Sequence, residues 1–286
     1  MIPALGILFG VLNTITVHMA KAMQRHGIDT LRWGSTPKEQ RSRKKALIYG
    51  GGIAVNGLSG LWLILANRFA PPAYATGMFG VGLVLLLLYS RAVLHEDVAP
   101  INYFGALLVI IGTAVFGYDA LTHQAVDVAG LRGWVVAVFA AGYFGMLGVV
   151  IALAKRSGRM QLFGVAFGAV TGGLAGLDPV LKAIGQYADG TARLLPGTAL
   201  GWIPFVLSLV VGLLAFLVGQ YAFFHGAAAN DLVPGHSTAF VLVPVVVQLI
   251  ALPGYRFSLW LGVGIFAIVS GIVLIQFRNE NPKESP

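Results

Sequence analysis

The sequence predicts an all-α integral membrane protein of about nine transmembrane helices, arranged as two inverted-topology repeats of four and five helices. Three observations predict it. Apolar residues make up 57% of the chain and charged residues only 10%, outside the range of soluble globular domains. Stretches of about 20 residues without strong charges recur, the length a helix needs to cross roughly 30 Å of hydrocarbon. Finally, two segments offset by about 158 residues repeat one pattern of small and apolar residues. The runs are continuous in Leu, Val, Gly and Ala and do not alternate, which excludes a membrane β-barrel.

Apolar runs between charged or Pro/Gly-rich breaks place the spans at 2–22, 46–66, 72–91, 101–119, 133–154, 160–184, 200–223, 233–252 and 258–277. The first has no positively charged leader and no small-residue cleavage site, so it is expected to be a retained helix. The loop after it carries Arg25, Arg32, Lys38, Arg41, Arg43, Lys44 and Lys45, and the loop after the fifth span carries Lys155, Arg156 and Arg159. Loops on the other side hold the isolated bases Arg68, Arg132, Arg193 and Arg256. The positive-inside rule then puts the N-terminus outside and the tail, 278–286, in the cytoplasm.

The repeat is clearest between 66–88, ANRFAPPAYATGMFGVGLVLLLL, and 223–247, FFHGAAANDLVPGHSTAFVLVPVVV. In each, an Ala/Pro/Asn-rich break precedes a helix that begins on a small-residue patch. One span later, Gly105 and Gly112 in the first copy match Gly264 and Gly271 in the second, both pairs seven residues apart. The third span thus matches the eighth and the fourth the ninth. A shift of five spans is odd, so matching helices cross in opposite directions, an arrangement common in secondary transporters with a site between the halves. The first repeat is assigned to 1–130 and the second to 131–277.

The stretch FAPPAYATGMFGVGLVLLLLYSRAVLHEDVAPINYFGALLVIIGTAVFGY resembles the repeat unit of the drug/metabolite transporter (DMT) superfamily, in which a helix hairpin ends in an acidic residue, here Glu96, before a glycine-spaced helix. It is most similar to the NIPA-like magnesium transporter branch. That resemblance implies nine helices, a basic loop after the first (here KAMQRHGIDTLRWGSTPKEQRSRKK), and an F-A-P turn after the second (here FAPP at 69–72). It also implies a glutamate in the second helix, and NGLSGLWLILAN has none. The magnesium branch further favours a lysine near the position of Asp178.

Polar groups inside a bilayer are costly, so each is a candidate site residue. Asn13 and Asn56 fall near the middle of the first two spans, where their amides are candidates to bind substrate or a cation. His18, Gln220, His225 and His236 could line an inner vestibule; His236 follows VPG at an expected helix start, where free N–H groups favour an anion. His95, Glu96 and Asp97 form a compact cluster in the cytoplasmic hairpin, either a divalent-cation site or, beside Arg91 and open to water, a solvated turn, and Tyr118, Asp119, Trp62 and Trp202 are expected at the outer interface. In the sixth span Gly164, Gly168, Gly172 and Gly176 recur every four residues and make one ridge. Beyond it, Asp178 and Lys182 share a helical face and are expected to form an outer ion pair, Lys182 reaching up to water, or a gate with Asp178 as a substrate ligand. Pro179 has no N–H for the carbonyl of Ala175.

The net charge of +8 fits basic cytoplasmic loops and calls for no nucleic acid. The chain has no cysteine, so thiolate metal sites and disulfides are excluded. There is no HExxH, GxSxG, Walker loop or pair of aspartate-rich motifs, so neither an enzyme nor a cofactor is expected, and no metal ligand set is assigned. The expected function is transport of a small solute or cation, Mg²⁺ among them, by alternating access. An alternative is a flippase or exporter of a lipid-linked or amphipathic metabolite, and a second is a membrane enzyme or scaffold. The expected surroundings are membrane lipids in a bacterial inner membrane.

Overall fold

The computed structural model describes residues 2–27, 43–93, 98–122, 126–225, 227 and 229–276. Among these the chain is helical, with a short 3₁₀ turn at Val128–Gly130 and no strand. The helices are α1 (Pro3–Gly27), α2 (Arg43–Phe69), α3 (Pro72–Gly77), α4 (Phe79–Ala92), α5 (Pro100–Thr122), α6 (Gly133–Arg156), α7 (Met160–Gln186), α8 (Ala199–Phe224), α9 (Ala229–Ala251) and α10 (Leu259–Gln276). With α3 and α4 taken as one span, nine are long and apolar enough to cross a membrane. The protein is an all-α membrane protein.

The third predicted span is not one helix. It breaks at Met78, whose N–H turns back to the carbonyls of Ala75 and Thr76. The break falls where Gly77 lies against the Phe116 ring; a Cβ there would sit 2.5 Å from the ring edge. All of α3 is buried. α9 begins several residues earlier than expected and carries Pro234 and Pro244 inside it.

Lipid tails are as apolar as leucine, so association in the bilayer depends on close packing of small residues. The glycines show where this occurs. Gly105 and Gly271 approach each other's carbonyls, and Gly112 and Gly264 do the same one stretch further along the α5–α10 pair. A Cβ on Gly105 would lie 2.8 Å from the Gly271 oxygen, and one on Gly271 would lie 2.6 Å from the Gly105 oxygen. Since 105 meets 271 and 112 meets 264, the two helices run antiparallel.

The ridge of α7 packs along α9. Gly164 meets Asp231, Gly168 meets Leu232, Gly172 meets the backbone of His236, and Gly176 meets Phe240 and Pro244. In the first half Gly6 meets Ala70 and Gly10 meets Ala75; these two glycines precede Gly164 and Gly168 by 158 positions each. Tight helix packing therefore accounts for the ridge. α6 lies at the edge, its Trp134, Val138 and Val149 turned outward.

Candidate functional site

Residues of α1, α2, α4, α7, α8 and α9 line a cavity of about 620 Å³. α1 brings His18 and Lys21 to it, α2 brings Tyr49, Ile53 and Asn56, and α4 brings Phe79 and Leu83. α7 contributes Thr171, α8 contributes Phe216 and Gln220, and α9 contributes His236 and Ser237. α2 and α8 form opposite walls without extended contact with each other. Apolar side chains on these walls, Ile53 and Phe216, are exposed.

The polar groups are held in place by backbone. His18 is fully buried, and its Nδ1 lies 2.8 Å from the carbonyl of Thr14. Thr14 in turn donates to the carbonyl of Phe79 at 2.8 Å. Gly82 makes room for this: a Cβ there would overlap both Thr14 and the His18 ring. On the opposite wall the Nδ1 of His236 lies 3.1 Å from the Thr171 hydroxyl, which donates to the carbonyl of Gly168 at 2.9 Å. The Lys21 ammonium sits 5.9 Å from the centre of the Phe79 ring, and that ring meets His18 edge-on at 4.7 Å.

Of the residues singled out from sequence, His18, Asn56, Gln220 and His236 come together here. Asn13 does not line the cavity; it is buried, and its Oδ1 has no hydrogen-bond partner. His225 belongs to a separate pocket of about 180 Å³ beside Lys155 and Tyr221. His236 is not at a helix start, because α9 begins at Ala229 and places it in the third turn. Its backbone is covered by α7, so the expected N-terminal anion site at this residue does not exist.

Asp178 and Lys182 form an ion pair away from the cavity, with the Ser208 hydroxyl beside the carboxylate. Contrary to expectation Lys182 does not reach water; it is 3% exposed and Asp178 15%. At this end of α7, Asn67 of α2 reaches the Pro179 carbonyl, Phe205 of α8 lies against Gly185, and Gln186 bonds the carbonyls of Arg193 and Leu194 in the following loop. Asp119 is likewise buried, accepting a hydrogen bond from Ser258, whereas Tyr118 is exposed and stacks edge-on against Trp260 at 5.7 Å. Trp62 turns inward, and its Nε1 donates to Thr16 at 3.0 Å.

Sequence reasoning missed a buried polar lock at the opposite end of the bundle from the cavity. Asn67 donates to the carbonyl of Pro179 at 2.8 Å and to Gln186 at 3.2 Å, and Gln186 donates to the carbonyl of Ile64 at 2.9 Å. The Tyr187 hydroxyl donates to the carbonyls of Asn67 and Arg68. This ties α2 to α7. It also missed Lys21 and Thr171. Lys21 was readable as the base one turn after His18; nothing in the sequence marked Thr171.

Among the described residues no three His, Cys, Asp or Glu side chains converge as a metal site. His95, Glu96 and Asp97 lie outside the described residues, as do 28–42 and the 278–286 tail.

The helical bundle and the cavity among α1, α2, α4, α7, α8 and α9 define a polytopic membrane protein with room for a ligand. Among curated proteins the chain is similar to a probable 4-amino-4-deoxy-L-arabinose-phosphoundecaprenol flippase subunit, ArnE, of Aeromonas salmonicida (strain A449). The two are 39% identical over 57 residues, which is 20% of this chain and 49% of that protein. The chain thus spans about half the length of the curated relative it matches. No family model matches the chain, and no solved structure matches it.

Proposed function

We propose that the chain is a transporter of the drug/metabolite type that moves an amphipathic, lipid-linked metabolite across a bacterial inner membrane. The observation that carries this is the cavity between α2 and α8. Because these walls are not packed together, a lipid can enter sideways with its head among Asn56, Gln220 and His236 and its chain against Ile53 and Phe216. The similarity to a flippase subunit supports the same substrate class and the DMT resemblance.

Mg²⁺ is the less favoured cargo. It is held by oxygen ligands, one or two of them carboxylates, whereas among the described residues the cavity lining includes no carboxylate and includes the cationic Lys21. The second span also lacks the glutamate that the magnesium branch implies.

In this proposal the basic loops face the cytoplasm and the cavity opens on that side, while the Asn67–Gln186 lock closes the outer side. Rocking of the halves would open one end and close the other. The test is transbilayer movement of a fluorescent polyprenyl phosphate in proteoliposomes. Protein-dependent movement supports the reading; Mg²⁺ uptake without lipid movement overturns it.

A further inference from the structure

The two imidazoles in the cavity are set in the same way. The His18 Nδ1 lies 2.8 Å from a carbonyl, so its proton is on Nδ1. The Thr171 hydroxyl spends its proton on the Gly168 carbonyl, so toward His236 it can only accept, and the His236 proton is also on Nδ1. Each neutral ring is left with a bare lone pair on Nε2. That of His18 is buried without a hydrogen-bond partner, and both rings line the same cavity as the ammonium of Lys21.

Among the described residues no acid in the lining balances this charge. Among the described residues the titratable groups that share the lining with the imidazoles are Lys21 from α1 and Tyr49 from α2; α4, α7 and α8 present none, and α9 none besides His236. An empty site therefore disfavours a second positive charge, since Lys21 repels it. An anion beside Lys21 removes that penalty, and each Nε2 can then take a proton and donate it back as a charge-assisted hydrogen bond.

We propose that Lys21, His18 and His236 form a subsite for the anionic head group of the substrate, and that the anion enters together with a proton. This rests on the cavity being the substrate site. The step is a plain protonation: a solvent proton moves to an Nε2 lone pair as the anion binds, and both leave together. No bond within the substrate changes. Substrate movement is thereby coupled to the proton gradient.

The experiment is calorimetric titration of the full-length protein in nanodiscs at about pH 7.5, in two buffers of different ionisation enthalpy. The probes are farnesyl phosphate, farnesol and inorganic phosphate. We expect farnesyl phosphate to bind at least ~10-fold more tightly than farnesol, as a charge-assisted contact implies, with net proton uptake. Lys21→Gln should remove that difference, and His18→Asn with His236→Asn should remove the uptake while each Asn retains a donor near the Nδ1 position. Equal binding of farnesyl phosphate and farnesol, or phosphate binding with no proton uptake, overturns the subsite. This wild-type comparison decides the matter even if the variants fail to fold. Binding of inorganic phosphate with uptake but not of farnesyl phosphate supports the subsite and instead overturns the lipid-linked reading. Failure of all three probes to bind overturns the subsite, while protein-dependent flipping of a neutral lipid would leave the lipid-linked reading standing.

Discussion

Asp178 and Lys182 lie one turn apart on α7 with little exposure. Removing one partner of a buried pair costs about 3–5 kcal/mol, because the other charge is left uncompensated. Asp178→Asn should therefore lower the melting temperature in detergent more than the double change Asp178→Asn with Lys182→Met does. A gate would behave differently, with Asp178→Asn altering transport at an unchanged melting temperature. Asn56 is the opposite case, exposed to the cavity and without structural bonds among those described. Its replacement by Ala should leave melting unchanged and slow transport by about 2–10-fold, the worth of one hydrogen bond. An unchanged rate at limiting substrate would remove Asn56 from the site.

At the scale of elements, the α7–α9 contact is the closest approach in the second half. Gly172→Leu would drive a side chain into the backbone of His236, and overpacking of this kind costs typically about 1–3 kcal/mol. A lower melting temperature with loss of the cavity's binding is the expected outcome. The lock at the far end titrates in an observable way. Burial, reinforced by nearby Asp127, pushes the Tyr187 hydroxyl up to about 12. A raised value means that the stabilisation is complete below the ordinary tyrosine range near 10 and is lost as pH rises through about 12. Thermal melting of wild type against Tyr187→Phe should differ below about pH 10 and converge above 12.

These elements also show what the sequence could reveal. Span length and hydropathy are local, so every span appeared with ends off by only a few residues. The glycine ridge was legible because a four-residue spacing defines a face, whatever that face meets. Depth and partner were not legible. Lys182 looked like a surface lysine because nothing local reports that tertiary packing buries it. His236 looked like a helix start because VPG suggests one, yet α9 accommodates Pro234 internally. The Asn67–Gln186 bond joins residues 119 positions apart, a relation that no local pattern carries.

Over the whole molecule, the glycines at 105, 112, 264 and 271 meet one another reciprocally along the antiparallel α5–α10 pair. The lock binds α2 to α7 at one end, and the cavity separates α2 from α8 at the other. Asn56 and Asn67 on α2 are eleven residues apart, about 16 Å along a helix, so the open and closed ends sit at different depths of one bundle. Breaking the lock with Gln186→Ala is expected to raise accessibility from the lock's end of the bundle, measured by labelling a cysteine introduced at Ala175 in this cysteine-free chain. The most direct test of the central claim remains transbilayer movement of a labelled polyprenyl phosphate in proteoliposomes. We predict movement that requires the protein and slows on Asn56→Ala; no movement, or a rate indifferent to every residue of the cavity, would contradict it.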